Sequence, residues 1–240
     1  VSRGGVLHLY TNAASDETKY FDTSFSQVIS AAADWTGSEV PCTNYIQSDG
    51  TTVGAYTDSA LIPSAIGAGY GQIVGSKYLL KKLRVRGVVR SIIASDAADV
   101  PPATTVRVVL VQDLRANGAQ AQGEEIFTDM GSAFQDNFSF LAMGAGNAGK
   151  FKILADEWCT LQPAIAGTDG TNTNSVAREA KTFSFIFKPK KPIQVLLKAN
   201  SSTPTVASLS NTNIFLLAHH DTNSGGTVAI DGCARCYYSG

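Results

Sequence analysis

The chain has 240 residues, 44% of them apolar and only 16% charged, which is enough for a sizeable core in one sandwich-sized domain and well short of the ordinary charged share of about 25%. A net charge of −1 argues against wholesale electrostatic binding of nucleic acid by the chain as a unit, and no apolar run reaches the length of a bilayer span or reads as a signal peptide. Four cysteines, at 42, 159, 233 and 236, are too few and too scattered for a disulfide framework.

The average charge hides a split. Residues 1–76 hold two basic and seven acidic side chains, net −5; residues 77–115 hold eight and three, net +5; the remainder holds nine and ten, net −1. A surface so thinly charged points to a cover of some kind, and identical neighbouring subunits are the simplest one.

In chain order, an N-terminal segment 1–18 leads into the first strand-like run, Lys19–Ile29, where Tyr20, Phe21, Phe25, Val28 and Ile29 supply β-prone bulk. A long Gly-, Ser- and Thr-rich loop follows, residues 30–76, of a length that is usually functional or covered by a partner. The second run, Lys77–Ile93, alternates with period two: Leu83, Val85 and, further back, Leu79 are placed on one face, and Lys82, Arg84 and Arg86 on the other. Thr104–Asp113, rich in β-branched residues, reads as a buried strand. Glu124–Gly131 suits a helical turn or two. Lys150–Leu161 is a further strand, and Lys181–Lys188 with Pro192–Lys198 is predicted to be a hairpin about Pro189-Lys190-Lys191. Thr212–His220 and Thr227–Tyr238 close the chain. No helix long enough to cross between parallel strands is present, so the fold class is all-β: one eight-stranded jelly roll spanning 1–240, two four-stranded antiparallel sheets with long loops and at most a short helix.

The order of motifs carries a resemblance. Glu17-Thr18-Lys19-Tyr20-Phe21-Asp22 is followed by Gly69–Gly75 and Leu83-Arg84-Val85-Arg86-Gly87. Next come Val106–Asp113 with Ala116-Asn117-Gly118, Gly149–Glu157, Lys181-Thr182-Phe183 with the lysine turn, and Thr212–Leu217. This succession, from Glu17 to the C-terminus, resembles the capsid proteins of circular, Rep-encoding single-stranded DNA viruses and is similar to the coat protein of satellite tobacco necrosis virus. The resemblance implies a jelly-roll subunit that self-assembles into a small icosahedral, T=1-like shell of about 60 copies. It also implies a viral genome inside, of single-stranded DNA, and a place in the virion after assembly within the host cell, the nucleus included. Such proteins usually begin with a disordered arm rich in Arg and Lys. Only Arg3 and Lys19 precede residue 77 here, so either the arm lies upstream of Val1 or packaging works differently.

Three cations on one strand face are costly to bury unpaired. Lys82, Arg84 and Arg86, with Arg3, are therefore the candidate nucleic-acid-binding residues, and carboxylates of a neighbouring subunit, or water, are the competing partners. Lys188, Lys190 and Lys191 read as solvated residues of the hairpin turn. Cys233-Ala234-Arg235-Cys236 lacks the second pair a zinc site needs, and alternation along a last strand simply buries one of the two thiols. His219 and His220, adjacent on a strand, point to opposite faces and have no nucleophile in a recognisable frame. Gly144–Gly149 mimics a dinucleotide fingerprint but precedes a strand, not a helix. No catalytic residue, resident metal or cofactor is expected. The one ion in play is Ca²⁺ between subunits, for which Asp156, Glu157, Glu124, Glu125 and Asp129 are the available oxygens. The rivals are a glycan- or receptor-binding jelly roll using Trp35, Trp158 or tyrosines as a platform, and a cupin-type enzyme, which the scarcity of histidine disfavours.

Overall fold

The computed structural model describes residues 18–29, 40–41, 59–63, 66–69, 71–92, 103–118, 121, 123–128, 138–141, 149–162, 179–198, 204–221 and 227–240. In chain order the strands are β1 (Lys19–Ile29), β2 (Val40–Pro41), β3 (Lys77–Ile92), β4 (Thr104–Asp113), β5 (Phe151–Leu161), β6 (Ala180–Phe187), β7 (Ile193–Leu196), β8 (Asn213–His220) and β9 (Thr227–Ser239), with a one-turn helix α1 (Gly123–Ile126) between β4 and β5. They form two antiparallel sheets. One runs β1-β9-β3-β6 with β7 also on β3, and the other runs β2-β8-β4-β5.

β6 and β7 both pair antiparallel with β3, β6 along Leu83–Arg90 and β7 along Lys77–Leu80. Two segments antiparallel to one partner along the same edge run in the same direction, so they are one interrupted strand and not the hairpin expected from the sequence. The interruption is Lys188-Pro189-Lys190-Lys191-Pro192, where the two prolines have no N–H to give to the ladder. Counted this way, each sheet has four strands, and their order is that of a jelly roll. The strand that sequence reasoning misses is β2, a two-residue pairing of Val40 with Ala218 and Pro41 with Leu217 inside what reads as continuous loop.

The core lies between the sheets. Leu83, Val85 and Val89 of β3, Phe183 and Phe185 of β6 and Ile230 of β9 meet Val106, Val108 and Leu110 of β4 and Ile214 and Leu216 of β8. The ladder of β3 with β9 shifts register at Lys81, which the pairing skips. Such a bulge reverses the facing of everything before it. Leu80 and Tyr78 are therefore buried, while Leu79, expected on the core face, is 39% exposed.

β4 is buried along nearly its whole length and β8 along all of it. Val109, Val111, Phe215 and Leu217 point away from the sandwich into a second apolar cluster, capped by Ala121, Ile126 and Phe127 of the connection between β4 and β5. That cover is why Thr104–Asp113 has no polar alternation to show.

Candidate nucleic-acid interface

Because Leu83 and Val85 point into the core, Lys82, Arg84 and Arg86 stand on the outer face of the β1-β9-β3-β6 sheet. Arg3 lies outside the described residues. The ladder sets the neighbours of the three cations. Lys82 is opposite Tyr237, Arg84 opposite Arg235 and Arg86 opposite Cys233 on β9; one strand further, Tyr20 is opposite Tyr237 and Asp22 opposite Arg235 on β1. On the other flank Arg84 faces Ile186 and Arg86 faces Ser184 of β6.

Two further arginines of this face are neutralised. Arg235 makes a bidentate pair with Asp22, both bonds at 2.7 Å, and Asp22 is the first reason its guanidinium holds its proton more tightly than usual. Arg90 donates to Asp231 at 2.9 Å, and Ser26 donates to the same carboxylate at 2.6 Å. Burial pushes the Asp231 carboxyl upward, but the bonds from Ser26 and Arg90 outweigh it and leave the group below its ordinary value. Among the described residues no carboxylate pairs with Lys82, Arg84 or Arg86.

Arg84 carries the sharpest demand for a partner. Its Nε is shielded from solvent and has no acceptor, a costly state for a charged donor. Its guanidinium bonds the Tyr237 hydroxyl, which also takes a bond from Arg235; the Arg84 bond is the chief cause of the lowered Tyr237 phenol. The aromatic rings sit among the cations. Arg235 lies 4.2 Å over Tyr20, Lys82 lies 5.4 Å over Tyr237, and the two tyrosine rings are 6.1 Å apart. The face thus combines cations that lack carboxylate partners with flat π-surfaces, which suits a phosphate backbone carrying unstacked bases. Tyr20, Tyr237, Arg90 and Arg235 are members of this face that sequence reasoning misses. Alternation within β9 gives a signal for Tyr237 and Arg235 as a pair, but their adjacency to Lys82 joins segments far apart in the chain and is a matter of register.

The other sheet holds a polar centre that the sequence does not announce. Arg107, its side chain 3% exposed, is bidentate to Asp156 at 2.7 and 3.0 Å and donates to the Ser139 carbonyl at 2.8 Å. Its guanidinium lies between the rings of Phe127, at 4.5 Å, and Trp158, at 4.9 Å. Of the carboxylates considered for Ca²⁺, Asp156 is therefore held by Arg107, and Glu125 pairs with Lys150 at 3.5 Å; Asp129 lies outside the described residues. Among the described residues no three His, Cys, Asp or Glu side chains converge.

His219 and His220 are both fully buried, on opposite faces of β8. In the C-x-x-C, Cys233 is exposed and Cys236 buried. Residues three apart on a strand lie about 10 Å apart and on opposite faces, beyond the reach of a disulfide. Burial pushes the Cys236 thiol far up and Cys159 to about 11. Beside Arg107, Trp158 is 44% exposed and stacked on Phe138 at 6.5 Å and 8°, and Phe140 is 84% exposed.

No family model matches the sequence, and neither does any curated protein. Among solved structures the chain is similar to the 60-mer BFDV capsid protein, at 11% identity over 92% of this chain and 91% of that one with a TM-score of 0.30. It is similar to the decameric BFDV capsid protein at 12% identity, over 92% and 96% of the two chains, with a TM-score of 0.28. A bacterial lipoprotein from Bacteroides thetaiotaomicron aligns at 10% identity over 100% and 95%, also with a TM-score of 0.28. Values this low do not separate a shell subunit from a lipoprotein, and a shared β-architecture does not carry a function with it.

Proposed function

We propose that this chain is a viral capsid protein: a jelly-roll subunit that assembles with copies of itself into a small icosahedral, T=1-like shell of about 60 copies around a nucleic-acid genome. The observation that carries the reading is the two-sidedness of the sandwich. One sheet turns outward Lys82, Arg84 and Arg86, which have no carboxylate partner among the described residues and stand among tyrosines, and the other sheet's side exposes Trp158, Phe138 and Phe140. A single-stranded DNA genome is the partner for the first side. The second is material for contacts between subunits, which in obligate assemblies bury roughly 2,000 Å² or more. The role is structural, with no catalytic step and no resident cofactor.

The exposed Trp158 and Phe138 favour a second reading, an aromatic platform for glycans. Electron microscopy of the purified protein separates the two. Uniform small round particles containing nucleic acid are expected from the wild-type chain, and empty or genome-poor particles from the Lys82→Gln, Arg84→Gln, Arg86→Gln variant. A protein that stays monomeric at every concentration and salt condition overturns the capsid reading.

A further inference from the structure

The interrupted strand moves the lysine turn. As the tip of a hairpin, Lys188, Lys190 and Lys191 would project away from the sheet. In the observed register Leu83 is opposite Phe187 and Leu80 opposite Ile193. The five residues Lys188–Pro192 therefore lie alongside Lys81 and Lys82, at the place where β3 makes its own bulge against β9. Lys188 follows the outward-facing Ile186 by two positions and shares its side of the sheet; Lys188, Lys190 and Lys191 are all exposed, as is Ile186. None of the three makes an ion pair among the described residues, in contrast to Lys181, which pairs with Glu179 at 2.6 Å, and Lys150, which pairs with Glu125.

Tertiary structure thus continues one row of cations into another. Arg86, Arg84 and Lys82 follow each other along β3 at about 7 Å steps, and the row runs on into a lysine cluster contributed by a different segment, about a hundred residues later in the chain. These six cations lie on β3 and on the turn beside it, and none has a carboxylate partner among the described residues. Arg235, one strand nearer β1, is matched by Asp22, and Arg90, beyond Arg86 at the end of β3 away from the turn, is matched by Asp231. The asymmetry gives the face a direction. A polyanion is drawn along β3 and onto the turn, not across the sheet toward β1.

We propose that the Lys188–Lys191 turn is the second half of the nucleic-acid-binding surface, a backbone clamp that holds phosphates of the same strand that Lys82, Arg84 and Arg86 engage. The clamp rests on the nucleic-acid reading of that face. Each phosphate left without its cation lowers the steepness of the plot of log affinity against log salt by about 0.7 for a single strand. Titrating fluorescein-labelled oligothymidylate into the full chain at a series of salt concentrations tests it.

The Lys188→Gln, Lys190→Gln, Lys191→Gln variant is expected to bind more weakly at low salt and to show a slope smaller in magnitude by about 2. An unchanged thermal transition serves as the control that these exposed substitutions leave the fold intact. An unchanged slope in this variant, together with a reduced one in the Lys82→Gln, Arg84→Gln, Arg86→Gln variant, overturns the clamp and keeps the face. An unchanged slope in both variants overturns the nucleic-acid reading itself. Loss of heparin binding with oligothymidylate binding intact assigns the turn to sulfated polysaccharide and also overturns the clamp.

Discussion

Single side chains in this protein differ most in whether their charge is answered. Arg107 is answered completely: Asp156, the Ser139 carbonyl and two aromatic faces surround one guanidinium. Removing one member of such a pair leaves the other charge desolvated, which costs about 3 kcal/mol, whereas replacing both by apolar groups of similar volume is often near neutral. Arg107→Ala and Asp156→Asn are each expected to lower the urea midpoint followed by tryptophan fluorescence, and Arg107→Met combined with Asp156→Leu to recover much of it. Equal, additive losses in the double variant would show that the pair is not coupled. Asp231 sits at the surface and is worth less, about 1 kcal/mol after screening. Its folded value lies below its ordinary 3.8, so the unfolded chain takes up the proton first. The contribution is fully present above the ordinary value and is lost as the pH falls from there through the lowered folded value. The stability gap between wild type and Asp231→Asn should therefore be constant at neutral pH and close on acidification; a gap that widens toward acid would refute the assignment.

At the scale of elements, the central strands β3 and β9 depend on how closely they approach. Gly87 and Gly232 are opposite each other in the ladder. A side chain at Gly232 would run into the Phe25 ring and the Arg86 carbonyl, and one at Gly87 into the Phe183 ring. The two glycines thus make the space in which Phe25 and Phe183 stack at 6.5 Å. Gly232→Val is expected to cost more than about 2 kcal/mol, because backbone and a buried ring would both have to move. Gly75, at φ 85° with nothing within 4 Å of an added Cβ, should cost only the about 1 kcal/mol of a left-handed backbone when changed to Ala. Differential scanning calorimetry ranks the two; the reverse order would mean that the close packing of β3 on β9 is not what Gly232 serves. The elements also show where period-two reading succeeds and where it fails. It places Lys82, Arg84 and Arg86 correctly because Leu83, Val85 and Val89 alternate without a break behind them. It misplaces Leu79 because the bulge at Lys81 has no residue signature. It takes Lys181–Lys198 for a hairpin because two β-prone runs about a short Pro-rich turn look the same whether the chain reverses or continues along the same neighbour.

On the scale of the whole molecule, the two sheets differ in what they turn outward, and the proposed shell subunit would use that difference. The β1-β9-β3-β6 sheet turns outward a charged face whose surplus is positive, although the chain's net charge is −1. The β2-β8-β4-β5 sheet is buried on both sides at β4 and β8, with a connection folded over it and exposed aromatic side chains beside it. In the proposed shell, closure by apolar burial and genome retention by cations would respond oppositely to salt: burial is strengthened or unaffected, while phosphate contacts weaken. Particles that stay closed while shedding nucleic acid at high salt are the behaviour to look for in the microscopy proposed above.

The sequence by itself determined the all-β class, the bounds of every observed strand except β2 to within two residues at either end, the burial of Thr104–Asp113 and the outward row Lys82, Arg84, Arg86. All of these follow from side-chain alternation or composition within one segment, where the chain's own geometry decides which residues share a face. Only the tertiary structure decided that Lys188–Lys191 lies beside Lys82, that Tyr20 and Tyr237 enclose the same cations, and that Arg107 meets Asp156. Those are questions of register between strands far apart in sequence, and register is set by the fit of the whole core, by bulges and prolines, and by which strand becomes the neighbour.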